Sequence, residues 1–255
     1  MDILNSELAA NVANELLKIK AVKLQPNEPF TWASGWKSPI YCDNRKTLSY
    51  PDTRKLIAKG LAQGVKEKFP DAEVVAGVAT GAIAVGLMVA EELGLPFIYV
   101  RPKPKEHGLG NQVEGYLPEN SKVVVIEDLI STGGSSLKAV DALRETSSTV
   151  LGMMAIFTYG FANADENFEK ADCKIYTLSN YSELVKLAVE SGYVSESDLE
   201  QLNEWRKSPA SWKAWFKGSN QFRDVDEGFC ACRHVPILIR QYVAHLLRLQ
   251  FAVCR

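Results

Sequence analysis

Short apolar runs alternate with amphipathic stretches along most of this chain. Apolar residues recur at helical spacing from Leu4 to Leu17, which predicts an amphipathic N-terminal helix. Further on, residues 123–126 (VVVI) and 150–159 (VLGMMAIFTY) are apolar at nearly every position. A strand with one solvent-exposed face would instead alternate apolar and polar residues. The pattern therefore predicts strands that are buried on both sides.

The other predicted elements continue this alternation. We predict strands at residues 72–79, 96–101, 122–128, 150–159 and 173–179, and helices at residues 52–69, 80–94, 135–146, 181–192 and 195–207. Strands that alternate with helices indicate an α/β fold, a parallel sheet with helices on both faces. Residues 30–45 (FTWASGWKSPIYCDNR) combine aromatic residues with Gly35 and Pro39, which predicts a loop or a short hairpin.

Composition and charge narrow the class of protein. The chain has 255 residues, of which 46% are hydrophobic and 24% charged, as in ordinary globular proteins. A formal net charge of -2 gives no sign of a nucleic-acid or anionic-membrane partner. No apolar run reaches the roughly 18 residues of a membrane span, and the N-terminus lacks the layout of a secretory signal. We therefore expect a cytoplasmic protein without a disulfide framework, since its five cysteines are an odd number.

The composition changes sharply after Lys217. Residues 1–217 contain 19 Lys and 5 Arg, whereas residues 218–255 contain no Lys and 5 Arg, together with three of the five cysteines. We expect a main domain at residues 1–217 and an atypical tail at 218–255, derived from a shifted reading frame or from sequence appended by cloning. Two alternatives for the tail are a metal clip around Cys230, Cys232 and His234, and an amphipathic membrane-surface helix at residues 235–253.

Residues 123–136 (VVVIEDLISTGGSS) carry the most informative chemistry. A buried strand runs into the carboxylates of Glu127 and Asp128, and a loop of glycines and hydroxyl residues follows. Glycines let the backbone approach a ligand closely, and the free amides at a helix start attract a phosphate. Carboxylates beside that site accept hydrogen bonds from neutral hydroxyls. Together they describe a ribose 5-phosphate site; the alternative is a solvated surface turn.

This stretch resembles the phosphoribosyl-pyrophosphate (PRPP) signature of type I phosphoribosyltransferases. Three other segments resemble orotate phosphoribosyltransferases: residues 30–45 their orotate-side loop, 77–86 (GVATGAIAVG) their pyrophosphate-side loop, and 99–125 their mobile catalytic loop. The resemblance runs from about Glu7 to Lys217. It implies a type I phosphoribosyltransferase fold with a small N-terminal hood at about 1–50 and a core at about 51–217. The implied reaction transfers ribose 5-phosphate from PRPP to orotate, giving orotidine 5′-monophosphate and pyrophosphate.

The resemblance also implies roles for individual residues. The expected PRPP-binding residues are Arg101, Lys105, His107, Glu127, Asp128, Leu129, Ile130, Ser131, Thr132, Gly133, Gly134 and Ser135. Lys105, His107 and Asp128 are the expected catalytic residues, and Ser131, Tyr41 and Cys42 are expected to bind orotate. The family's orotate-binding arginine has no match in residues 157–168 (FTYGFANADENF), so backbone amides near Tyr41 and Cys42 are expected to serve instead.

The mobile loop can also be interpreted from its residues alone. Arg101, Lys103, Lys105 and His107 lie close together among two prolines, and glycines follow. Prolines prevent a helix and glycines loosen the chain, so a basic loop of this kind can close over a polyphosphate. A solvated run of charge is the alternative. The family resemblance further implies a homodimer whose loop residues act in the neighbouring site, and Mg²⁺ held mainly by substrate rather than by protein ligands.

Three other functions are compatible with parts of this pattern. A phosphoribosyltransferase for a purine base or uracil would share the acid-pair loop, but would lack the orotate-type mobile loop and the SGWKSPIY segment. A nucleotide-sensing regulator on the same fold would need a basic face, which the net charge does not favour. The third alternative is an inactive enzyme, in which the tail at residues 218–255 blocks dimer formation and leaves the site incomplete.

Overall fold

A central sheet and two small antiparallel pairs contain the strands of this chain in the computed structural model, which describes residues 1–32, 35–104 and 112–213. The strands are β1 (Asp2–Ile3), β2 (Val22–Leu24), β3 (Phe30–Thr31), β4 (Lys37–Ser38), β5 (Ile40–Cys42), β6 (Val74–Val78), β7 (Phe97–Val100), β8 (Val113–Glu114), β9 (Lys122–Ile130), β10 (Thr149–Thr158) and β11 (Ile175–Asn180). The helices are α1 (Ser6–Lys18), α2 (Pro51–Lys68), α3 (Ile83–Leu93), α4 (Gly134–Arg144), α5 (Ala162–Lys170), α6 (Tyr181–Glu190) and α7 (Glu196–Lys207), and Asn44–Ser49 form a 3-10 helix.

The central sheet is parallel except at one edge. Its strand order is β1-β11-β10-β9-β6-β7-β8, and only β8 pairs in the antiparallel direction, with β7. The predicted α/β arrangement is confirmed, but the sheet is mixed rather than wholly parallel. Strand β8 has two residues, too few to produce a recognisable sequence pattern.

The inner strands are buried on both sides, as their apolar runs predict. Every residue of β6 is buried, and residues 123–126 of β9 have no exposed surface. Helix α2 packs directly on β10 and β11, where Gly60 meets Leu178 and Gly64 lies against the side chain of Met154. Because the strands other than β8 run parallel, their carboxyl ends lie at one edge of the sheet, where ligands of open α/β sheets bind.

Local signals explain where several helices begin and end. The Asn5 side chain accepts a hydrogen bond from the amide of Leu8 at 2.7 Å and caps α1, and Pro51 occupies the first turn of α2. Helix α3 ends at Gly94, whose φ of 67° is left-handed. Helix α5 was not predicted, because its short polar sequence buries only Ala164 and Phe168.

The two small strand pairs lie within residues 22–42. Strand β2 pairs with β5, and β3 pairs with β4 as the short hairpin that residues 30–45 predict. The Trp32 indole donates a hydrogen bond to the Ile40 carbonyl at 3.2 Å and ties the pairs together. The chain start, by contrast, joins the central sheet, because β1 pairs with β11.

The described residues belong to one compact unit. The expected boundaries near residues 50 and 217 stay predictions, as do the expected features of the tail, which lies outside the described residues. Within the described ranges, no helix is long and apolar enough to cross a membrane.

Candidate active site

The acid pair lies near the carboxyl end of β9, in the middle of the sheet. The sequence prediction that the strand stops at Asp128 is wrong, because β9 continues to Ile130. Leu129 and Ile130 still pair with Phe157 and Thr158 of β10, a longer neighbour that extends the ladder. The Ile130 side chain is buried, and its carbonyl accepts a hydrogen bond from the Tyr159 amide at 3.1 Å. Leu129 and Ile130 therefore position the loop within the sheet.

Glu127 is almost completely buried, with 5% of its surface exposed. Its carboxyl group accepts hydrogen bonds from the Ser136 hydroxyl at 2.7 Å and from the Asp128 amide at 3.0 Å. Burial, followed by the charge of Asp128, raises the pKa of Glu127 to about 8. Two adjacent carboxyl groups thus differ in environment, since Glu127 is enclosed and Asp128 is only half-buried.

Three chain segments meet at Asp128. The Asn44 side-chain amide donates a hydrogen bond to the Asp128 carbonyl, and the Cys42 thiol lies 3.4 Å from the Asn44 side-chain oxygen. Gly81, in the turn after β6, lies so close to the Asp128 carboxyl group that a Cβ there would collide with it. The segments after β5 and β6 therefore both reach Asp128: Asn44 binds its backbone carbonyl, and Gly81 lies against its carboxyl group.

The loop after β9 has the geometry of an anion site. Gly133 has a φ of 80° and lies under the Phe168 ring, where a Cβ would come within 2.6 Å of that ring. The Thr132 carbonyl accepts a hydrogen bond from the Asn167 side chain at 3.0 Å, which holds the loop on α5. Because Gly133 caps α4 without a side chain, the first amides of the helix remain available to a phosphate.

The hydroxyl residues of this loop differ in exposure. Ser131 and Thr132 are half-buried, whereas Ser135 and Gly134, in the first turn of α4, are exposed. The predicted PRPP-binding residues from Glu127 to Ser135 are thus brought together by one strand, one turn and one helix start. A ligand anion at the helix start would lie next to the Asp128 carboxylate.

Tyr41 and Cys42, expected on the orotate side, end β5 and lie beside the acid pair. Tyr41 is 42% exposed and its ring lies 5.6 Å from the ring of Phe30. Burial, with smaller contributions from Asp128 and Asp43, raises the pKa of the Cys42 thiol well above its usual value. The thiol is therefore protonated at neutral pH and is a poor nucleophile.

The residues expected in the mobile loop are only partly described. Arg101 follows β7, and its guanidinium lies 3.5 Å from the Glu114 carboxylate on β8. The Gln112 side chain donates a hydrogen bond to the Arg101 carbonyl at 2.8 Å. This bond joins the residues on the two sides of the loop. Lys105 and His107 lie outside the described residues, and their expected roles stay predictions.

The supporting roles of several residues were not predicted from the sequence. Ser136 and Phe168 support the acid pair and the glycine loop, and Asn44 connects that pair to the base side. The contact of Ser136 would have been the easiest of these to predict, because a hydroxyl in the first turn of a predicted helix lies near the preceding strand. Among the residues that the structure describes, no group of three or more His, Cys, Asp or Glu side chains converges as a metal site.

Comparison with known proteins agrees with this geometry. A phosphoribosyl transferase domain model matches residues 46–191. The orotate phosphoribosyltransferase of Porphyromonas gingivalis is 61% identical over 201 residues, which are 79% of this chain and 96% of that protein. The enzyme of the same name from Listeria monocytogenes serotype 4b is 56% identical over 201 residues, again 79% of this chain and 96% of that protein.

This chain belongs to the orotate phosphoribosyltransferase family. The resemblance stated from the four sequence segments and the predicted type I phosphoribosyltransferase fold are both confirmed. A solved structure of orotate phosphoribosyltransferase from Aeropyrum pernix superposes with a TM-score of 0.63 at 28% identity, covering 72% of this chain and 99% of that one. This family member therefore contains nearly the full length of its relatives, and the carboxyl edge of its sheet is where the family signature lies.

Proposed function

We propose that this protein transfers ribose 5-phosphate from PRPP to orotate, producing orotidine 5′-monophosphate and pyrophosphate in de novo pyrimidine biosynthesis. One observation carries the proposal: a half-buried carboxylate, Asp128, lies between a glycine-capped helix start and the Tyr41–Cys42 segment. A ribose phosphate fits the first two features, and a planar base fits the space beside the third. The identity to orotate phosphoribosyltransferases supports orotate as that base.

The 5-phosphate binds at the start of α4. The amides of the first helical turn are oriented toward it, and the hydroxyls of Ser131, Thr132 and Ser135 add donors. Gly133 lets the backbone turn sharply here, because its left-handed φ is accessible to glycine at low cost. The site needs no lysine in the loop itself, since the amides and hydroxyls supply the donors.

The acid pair acts on the ribose. Asp128 accepts hydrogen bonds from the ribose hydroxyls, and its negative charge stabilises the positive charge that develops as the bond to pyrophosphate breaks. Glu127, enclosed by Ser136 and the Asp128 amide, orients its neighbour. Catalysis then depends on positioning and charge stabilisation rather than on a protein nucleophile.

The leaving group is bound by the mobile loop. Arg101, Lys105 and His107 stabilise the departing pyrophosphate, and within a homodimer the loop reaches the neighbouring subunit's site. Arg101 must leave Glu114 to do so, which a surface ion pair of this kind permits at little cost. These roles rest on the resemblance of residues 99–125 to the family's loop.

Magnesium is the expected cofactor and fits the donor set. It prefers oxygen ligands and keeps several waters, so it would bind through pyrophosphate and ribose oxygens, with Asp128 as the accessible protein carboxylate. When bound, it neutralises part of the charge of the pyrophosphate group. We also propose a cytoplasmic location, which cell fractionation with an antibody to the native chain would test.

The test is a spectrophotometric assay with orotate, PRPP and magnesium, with adenine, hypoxanthine and uracil in parallel. We expect a loss of orotate absorbance that requires all three components. Turnover of another base without orotate turnover would replace the proposed substrate. Inactivity with every base, in the full chain and in a chain ending at Lys217, would contradict the proposed enzyme activity altogether.

A further inference from the structure

The segment that follows β10 lies beside the expected base site. Tyr159 is the first residue after β10, and its amide donates a hydrogen bond to the Ile130 carbonyl at 3.1 Å. Because Thr158 pairs with Ile130 in the sheet register, Tyr159 lies across from Ser131. Residues 157–168 contain no arginine, so the structure brings a phenol rather than a guanidinium to this position.

Aromatic rings hold the Tyr159 ring in place. The ring stacks on Phe161 at a centroid distance of 5.5 Å and contacts Trp32 at 5.4 Å and Trp205 at 5.8 Å. Trp32 follows β3 and Trp205 lies in α7, so two segments that are distant in sequence help to fix the ring. A side chain held in this way presents its polar atom in one direction and loses little conformational entropy on binding.

No hydrogen bond joins the Tyr159 hydroxyl to another of the described residues. Only 3% of the residue is exposed. Burial raises the pKa of Tyr159 well above its ordinary value, and electrostatic interactions with the titratable groups of Cys42, Tyr41, Asp128 and Tyr181 raise it further. The hydroxyl therefore stays protonated and can donate a hydrogen bond. The hydroxyl is not among the fully buried, unpartnered side-chain atoms of the described residues, so it keeps some contact with solvent through which a substrate can reach it.

We propose that the Tyr159 hydroxyl donates a hydrogen bond to an oxygen of the pyrimidinecarboxylate substrate and so helps to determine base specificity. This inference rests on the proposed function. The Tyr159 ring contacts Trp32, whose indole donates a hydrogen bond to the Ile40 carbonyl next to Tyr41, so Tyr159 lies close to the Tyr41–Cys42 segment. The substrate's carboxylate and ring carbonyls are all acceptors, and a neutral phenol can serve any of them without a change of charge.

The decisive variant is Tyr159→Phe, which keeps the ring and its aromatic contacts and removes only the hydroxyl. We expect the KM for orotate to rise about tenfold or more, because a hydrogen bond to a charged or strongly polar acceptor is lost. The KM for PRPP and the melting temperature should change little. In the reverse reaction, the KM for orotidine 5′-monophosphate should rise in the same direction.

Tyr181→Phe is the matched control. Tyr181 contacts Trp205 in the same cluster, but its hydroxyl donates to the Leu202 carbonyl at 2.9 Å. That variant should lose thermal stability and keep the wild-type KM for orotate. An unchanged orotate KM in active Tyr159→Phe would overturn the inference, whereas a wild-type protein that does not convert orotate would contradict the proposed function instead.

Discussion

The phosphate side and the base side of the candidate active site differ in how they are assembled. The phosphate side consists of one continuous segment, from Glu127 to Ser136, in which a strand, a turn and a helix start follow one another. The base side combines Trp32, Tyr41, Tyr159 and Trp205, which come from four separate parts of the chain. A contiguous site can be recognised from local composition. A dispersed site depends on long-range packing, and so its residues have ordinary sequence surroundings.

The two sides should also respond differently to substitutions. Damage to the phosphate side should affect catalysis while the fold survives, because Asp128 and the loop residues are partly exposed. Damage to the base side should reduce stability and orotate binding together, because Tyr159 and Trp205 belong to the core and Trp32 packs against it. Four variants test this comparison.

Trp205→Ala should have the largest effect. Trp205 has no exposed surface and contacts the rings of Trp32, Tyr159, Phe161 and Tyr181, so its removal leaves a large cavity. We expect a loss of about 3–5 kcal/mol in the free energy of unfolding. Calorimetry should show a melting temperature lower by about 10 °C. Surviving activity should show a raised KM for orotate; an increase confined to PRPP would contradict the assignment of this cluster to the base side.

Asp128→Asn should reduce kcat/KM by roughly two to three orders of magnitude, because it removes negative charge from the ribose site. The melting temperature should change little, since Asp128 is half-buried. Asp141→Asn, on the exposed face of α4, is the control and should behave like wild type. Comparable kcat/KM values in the two variants would remove Asp128 from the mechanism.

Gly133→Ala should destabilise the phosphate loop by about 2 kcal/mol. The left-handed φ of 80° costs a residue with a Cβ about 1–2 kcal/mol, and the new atom would lie 2.6 Å from the Phe168 ring. Thermal unfolding measures the effect. The adjacent Gly134→Ala is the control, because its Cβ would meet only the Thr132 hydroxyl, at 4.0 Å. Equal melting temperatures for the two variants would contradict the described backbone geometry.

Glu127→Gln should change how stability depends on pH. The folded pKa of Glu127 is raised to about 8 from 4.5, so between these values only the folded state holds the proton. Its contribution to stability is present at low pH and is lost as pH rises toward 8, by at most about 1.4 kcal/mol per pH unit. The Gln side chain does not ionise, so the variant does not lose this stability as the pH rises. Melting temperatures from pH 5 to 8 should therefore fall less steeply in Glu127→Gln, and parallel curves would argue against a protonated Glu127.

Most of the fold could be predicted because its signals are local. Apolar runs located the inner strands, and helical periodicity located α1, α2, α4 and α7. The two-residue strands β1 and β8 and the polar helix α5 could not be found, because each is stabilised by neighbours that are distant in sequence. The prediction also ended β9 too early, since its last residues are kept in the ladder by β10.

The sequence by itself determined the family, the phosphate loop and the identity of the acid pair, because these depend on consecutive residues in a strand–turn–helix unit. Only the tertiary structure decided which carboxylate is enclosed, which side chains support the pair, and what lies opposite Ser131. Those properties arise from burial and from contacts such as Ser136 with Glu127 and Asn44 with Asp128. Burial sets the pKa of a carboxyl group, and packing sets the direction of a phenol; neither is a property of the residue alone.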